Sequence, residues 1–189
     1  MAAAFDYCIR CVNVVMAYLV YPVAATLVPE IARLRGRNET PKAYALIDRS
    51  LVVMAIAATI SCATGVMLRT PVIALLFERG NFTPESTRLV SAVFLGFAPS
   101  LIGWAMLELI ARCFFALNRP KLPLMAAFIP ITINVIVTSV LRAEGQLANP
   151  AMLGLGASAG LLAGFAALFT MVHMRRTSAK MAGSLVEAG

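Results

Sequence analysis

The stretch "LLFERGNFTPESTRLV", residues 75–90, is a short charged island between two long apolar runs. Its reading decides the fold. Gly80–Asn81 is a turn signal. Thr83 is placed to cap the helix that follows, and Pro84 takes the first helical position, where its missing N–H costs nothing. Glu85 falls in the first turn, on the favourable side of the helix dipole. Glu78 and Arg79 close the preceding run, positioned to pair with each other or with lipid head groups. No histidine, serine or second-carboxylate constellation accompanies Glu78, so the segment reads as a tight connection rather than a catalytic loop.

The flanking composition places that connection at a membrane. Hydrophobic residues make up 60% of the 189 residues and charged ones 13%, against roughly 25% charged in soluble domains. Mean hydropathy is +0.85. The formal charge of +7 is gathered in clusters between apolar runs, a pattern suited to anionic lipid and not requiring nucleic acid. Five stretches reach or approach the ~20 apolar residues of a helical span: 7–29, 51–76, 86–112, 122–141 and 147–173. Arg10 and Asn13 interrupt the first, which leaves open an amphipathic helix on the membrane surface. The expected fold is an all-α polytopic transmembrane bundle of about five spans, a single domain over 1–189; the odd number of spans reads as a piece of something longer.

Charge placement sets an expected topology. A basic loop at 33–49, the turn "NRPK" with Arg119 and Lys121, and a basic tail at 174–189 share one side; Arg79, Arg88 and Arg142 lie opposite, with Arg69 near the boundary. The positive-inside rule puts the three basic regions in the cytoplasm and the 77–85 turn outside. The start "MAAAFDYC" has no basic n-region and does not read as a signal peptide.

Polar groups inside the spans are the functional candidates. Asp6, Arg10 and Asn13 share one helix face. A charge at that depth is costly unless it faces a cavity or snorkels to the head groups. Glu108 and Arg112 form an i, i+4 pair in the favourable order, read as a structural clamp or as a substrate contact. Pro22, Pro71, Pro99 and Pro130 lie inside apolar runs, where each can kink its helix. Asn134 and Thr138 make a weak polar stripe beyond Pro130. Gly156, Gly160 and Gly164 form a small-residue packing face. "CIRC" at Cys8–Cys11 has no second ligand pair, so neither a metal, a cofactor nor a catalytic residue is expected.

The run from Pro71 to Pro123 resembles the lipid II flippase family, MurJ or MviN. Leu75, Leu76, Phe77, Arg79, Gly80, Phe82 and Thr87 match its "LLFxRGxF" pattern and the threonine after it. Arg112, Phe114, Phe115, Ala116, Arg119, Lys121 and Pro123 follow at similar places. Upstream, Tyr7, Arg10, Pro29, Ile31 and Ala32 also correspond. Asn118, Pro120 and Leu122 depart from the family's usual "D-KTP". The resemblance implies about fourteen spans in two related halves, of which this chain would supply the eighth through twelfth. It implies translocation of an undecaprenyl-pyrophosphate-linked peptidoglycan precursor across the bacterial cytoplasmic membrane by alternating access, with no enzymatic step. It also implies a basic cavity to which Arg10 belongs, with Glu78, Arg79, Gly80, Glu108 and Arg112 in structural or coupling roles. A separately encoded first half is the expected partner, beside anionic lipids. Three other readings stand next to it: an assembly subunit or inactive remnant without transport, an exporter of another polyprenyl-linked glycolipid, and a membrane enzyme, for which the single histidine and scattered acids are poor material.

The topology is testable. Single cysteines at Asn38 and Asn81 in a cysteine-free background should differ in intact cells: an impermeant maleimide labels position 81 and not 38. The reverse pattern inverts the topology.

Overall fold

The computed structural model describes residues 2–77, 83–143, 152, 154–167 and 169–170. The described residues form helices joined by short turns, with no strand among them. The order is α1 (Ala2–Gly36), α2 (Thr40–Met67), α3 (Arg69–Phe77), α4 (Pro84–Phe97), α5 (Ser100–Ala116), α6 (Lys121–Ala143) and α7 (Gly154–Ala167).

Helix α1 is central. Cys8, Val12, Met16, Val20, Ala24, Leu27 and Ile31 are buried at steps of four or three, the period of one helix face. Through that stripe α1 packs on α2, α4 and α5. This packing supports a place within the bundle over the surface-lying alternative. Helix α2 repeats the pattern with Ala43, Ile47, Leu51, Met54 and Ala58. Its other faces expose Val52, Val53, Ile56 and Ile60. In water such a surface would be a liability, whereas a lipid-facing surface is equally apolar. Helices Asp6–Gly36 and Thr40–Met67 are each long and apolar enough to cross a membrane, and α4 with α5 passes the same test as one bent span.

The basic segment 33–49 is mostly helix rather than loop. Hydropathy marks where lipid ends, and α1 continues past that point to Gly36. Asn38, at φ 60°, then stops it. The Glu39 N–H bonds the Leu34 carbonyl (2.9 Å) and the Asn38 N–H bonds that of Arg35 (3.0 Å). This is the paired closure of a Schellman turn, in which asparagine can replace glycine. Pro41 sits in the first turn of α2. The α5–α6 turn is built the same way. Asn118 has φ 56°, and Arg119 and Asn118 donate to Phe114 and Phe115, both at 2.9 Å. A labelling probe at exposed Arg37 avoids the strained site at Asn38.

Prolines divide two of the expected spans. In 51–76 the break falls at Leu68, between α2 and α3, where Pro71 offers no N–H to Met67. In 86–112 the axes of α4 and α5 differ by 53°. Pro99 has no donor for the Leu95 carbonyl. Beyond it, Leu101 and Ile102 donate three residues back, to Ala98 (3.0 Å) and Pro99 (3.2 Å). Leu101 thereby abandons Phe97, its ordinary helical acceptor. Buried Ser158 of α7 meets this gap: its hydroxyl lies 2.7 Å from the Gly96 carbonyl and 3.3 Å from that of Phe97. Close approach makes the bond possible. A Cβ on Gly154 would strike the backbone of Gly96 and Phe97, and one on Gly103 would lie 2.6 Å from the Leu161 backbone.

At the other end of this unit Thr83 caps α4, accepting from the Ser86 N–H at 3.3 Å, with Pro84 at the start and Glu85 in the first turn.

Replacing Ser158 with alanine removes the donor at the bend while keeping the close packing. Loss of about 0.6–2 kcal/mol is expected, read as a lower unfolding midpoint in detergent. Ser158→Thr, which keeps the hydroxyl but adds a methyl, separates packing from hydrogen bonding.

Candidate substrate-facing site

The polar face of α1 points away from the bundle core. Asp6 and Arg10 are one turn apart, and the Arg10 Nε donates to Asp6 Oδ2 at 3.0 Å. Their side chains are 60% and 66% exposed. Asn13 is exposed on the same side, and the strip continues through Tyr18, 83% exposed, to Tyr21 and Thr26. The helix thus carries an apolar stripe inward and a polar, aromatic stripe outward. Among the described residues, Asp6, Arg10 and Asn13 at the upper end of that stripe stay exposed.

Lower down, the stripe is tied to α5. Arg112 donates through Nε (2.7 Å) and Nη2 (2.6 Å) to Glu108 Oε1. Its guanidinium also lies over the Tyr21 ring, 5.0 Å from the centroid. Glu108 orients the arginine, and the tyrosine face receives it. Sequence spacing finds the pair within α5 but not Tyr21, because cross-helix contacts carry no spacing signal.

Arg10 has a second environment. Between α1, α2, α3, α4 and α5 lies a groove of about 380 Å³. Val14, Val15, Ile73, Leu76 and Phe94 are among its apolar walls, and Arg10 and Arg69 supply its two cations. Charge placement marks Arg69 only as a boundary charge, and its place just after the α2–α3 break brings it to the groove. The "CIRC" cysteines point differently: the Cys8 Sγ donates to the Val90 carbonyl at 3.7 Å in the core, whereas Cys11 lines the groove.

Glu78, Arg79 and Gly80 lie outside the described residues. Just before them, the Phe77 ring meets Tyr7 edge-on, with centroids 4.8 Å apart. Gly156, Gly160 and Gly164 of α7 face α6. A Cβ would lie 2.8 Å from Thr138 Oγ1 at Gly156 and 2.6 Å from the Pro130 carbonyl at Gly160, and would overlap the Pro130 ring at Gly164. The glycine face therefore lies against Pro130, Asn134 and Thr138.

Apolar helices, a proline-broken span and polar groups on one face of a long apolar helix define a polytopic helical membrane protein. The lipid II flippase MurJ family model matches residues 2–188, and the chain belongs to that family. A probable lipid II flippase MurJ from Rhizobium meliloti (strain 1021) is 33% identical over 114 residues, which cover 60% of this chain and 21% of that protein. Another from Rhizobium tropici is 23% identical over 99% of this chain and 37% of its own length. A solved structure of lipid II flippase MurJ in an inward closed conformation aligns with a TM-score of 0.78 at 21% identity, covering 90% of this chain and 35% of that one. That likeness shows a shared fold. The chain spans about a fifth to a third or so of the curated relatives it matches.

The Tyr21–Arg112 contact can be measured. Tyr21→Leu should cost about 0.5–2 kcal/mol, while Tyr21→Phe retains most of the contact. Unfolding midpoints of the two variants in one detergent give the comparison. Equal midpoints would show that the ring contributes packing alone.

Proposed function

We propose that this chain forms part of a flippase that moves the undecaprenyl-pyrophosphate-linked peptidoglycan precursor across the bacterial cytoplasmic membrane by alternating access. The single observation that carries the reading is the outward polar stripe of α1. Asp6, Arg10 and Asn13 are exposed together within an otherwise apolar stretch of α1. Lipid gives such groups no partner, so they face a wet cavity or other protein. Family membership supports the first of these, with the remaining helices of the flippase, in this chain's own protein or a partner chain, closing the cavity.

Within that cavity Arg10 binds the lipid carrier's pyrophosphate. A guanidinium offers a planar fork of donors matched to phosphate oxygens. Its Nε is held by Asp6, which leaves the outer N–H groups for substrate and fixes their direction. Asn13 adds a neutral donor and acceptor one turn on. Glu108 and Arg112 fasten α5 to α1, so that movement of one carries the other. The basic regions around Arg33–Arg49 and Arg119–Lys121 lie in the cytoplasm against anionic lipid.

The test is complementation of a strain depleted of its own flippase, with this chain supplied alongside the rest of the transporter. Arg10→Ala should abolish growth at an unchanged membrane level. Arg10→Lys should restore it in part, because a point charge keeps the attraction and loses the two-bond geometry. Normal growth with Arg10→Ala removes Arg10 from the substrate path.

A further inference from the structure

The groove between α1 and α5 holds a charge imbalance that the flippase reading does not use. Arg69 is half-buried at its edge. Its Nη1 reaches the Val66 carbonyl at 3.4 Å, and among the described residues no carboxylate pairs with it. Arg10, the groove's other cation, is already answered by Asp6. Among the described residues the lining contains no acidic one. One guanidinium, with most of its five N–H donors unspent, therefore overlooks an apolar cavity in a membrane protein. An unpaired cation in such a setting is costly and marks a ligand or ion site. The cavity lies in the range of about 300–1,000 Å³ typical of small-molecule sites.

We propose that this groove binds one anionic phospholipid, with its phosphodiester on Arg69 and one acyl chain among Val14, Val15, Ile73, Leu76 and Phe94. Charge selects the occupant. One uncompensated guanidinium matches the single negative charge of a phosphodiester, and its fork matches two phosphate oxygens. A pyrophosphate carries more charge than this site answers. The Val66 contact at the end of α2 fixes the guanidinium from behind, leaving its outer edge toward the ligand. A bound chain would fill the space between α1 and α3 and so join the break at Leu68 to the central helix. The proposal stands on the groove and does not depend on flipping.

The probe is phosphatidylglycerol, titrated into the full chain in uncharged detergent, with bound lipid counted by native mass spectrometry. Phosphatidylcholine with the same acyl chains and undecaprenyl pyrophosphate are run in parallel. The wild type should retain phosphatidylglycerol well above phosphatidylcholine. Arg69→Gln should lower the phosphatidylglycerol affinity about tenfold or more, the worth of a charge-assisted hydrogen bond, and change phosphatidylcholine little. Gly65→Leu leaves both arginines in place and extends a side chain at the groove wall, where a Cβ already meets the Phe94 ring at 3.5 Å. It should also lose phosphatidylglycerol. Equal retention by wild type and Arg69→Gln, equal retention of the two phospholipids by the wild type, or undisturbed binding in Gly65→Leu overturns the site. Undecaprenyl pyrophosphate binding that falls more steeply than phosphatidylglycerol binding in Arg69→Gln overturns the choice of occupant. Because the readout is binding, its failure is distinct from a failure of the Arg10 growth test.

Discussion

Inside a bilayer no water is available to a main-chain carbonyl that loses its helical partner, and the bend between α4 and α5 creates such carbonyls. The Ser158 hydroxyl lies at that bend, 2.7 Å from the Gly96 carbonyl and 3.3 Å from that of Phe97. That one contact constrains much of the surrounding packing. It requires α7 to approach backbone to backbone, hence Gly154 and Gly103 at the crossings. Once α7 is there, α6 must fit its glycine face, with Pro130 against Gly160 and Gly164. The proline that bends one helix is thus accommodated by small residues on others, since a side chain at any of these glycines would push away the helix that supplies the hydroxyl.

Two kinds of polar group follow from the same scarcity of water. Arg112 is fully furnished from within the chain, by Glu108 along its own helix and by the Tyr21 ring across the interface. Arg10 has a single carboxylate and open surroundings. The first arrangement holds helices together. The second leaves donor capacity facing outward. Their surroundings, rather than residue type, separate the two arginines.

Much of this architecture is legible in the sequence because its causes are local. Thr83, Pro84 and Glu85 announce a helix start through chemistry confined to one turn. Apolar run length announces a membrane bundle. Glu108 and Arg112 meet because four residues make about one turn. The less legible features arise elsewhere. Residues 33–36 continue α1 although hydropathy reads them as loop, because charge ends the lipid and not the helix. Pro99 signals a possible kink but not its 53° size, which also involves its neighbours. Tyr21 beneath Arg112, and Arg69 beside the groove that Arg10 lines, are meetings of distant segments. A glycine repeat marks a contact face and names no partner, so Pro130, Asn134 and Thr138 enter only with the structure.

The turns at Asn38 and Asn118 bear on how the chain enters the membrane. Each ends its helix with hydrogen bonds drawn wholly from the preceding six residues. Neither needs a distant segment to be complete. A ribosome delivering the chain can therefore release α1 and α2, and later α5 and α6, as ready-made helical hairpins with their reversals already set. Assembly then reduces to docking prefolded pairs side by side, with Ser158, which emerges after them, fastening helices laid down before it.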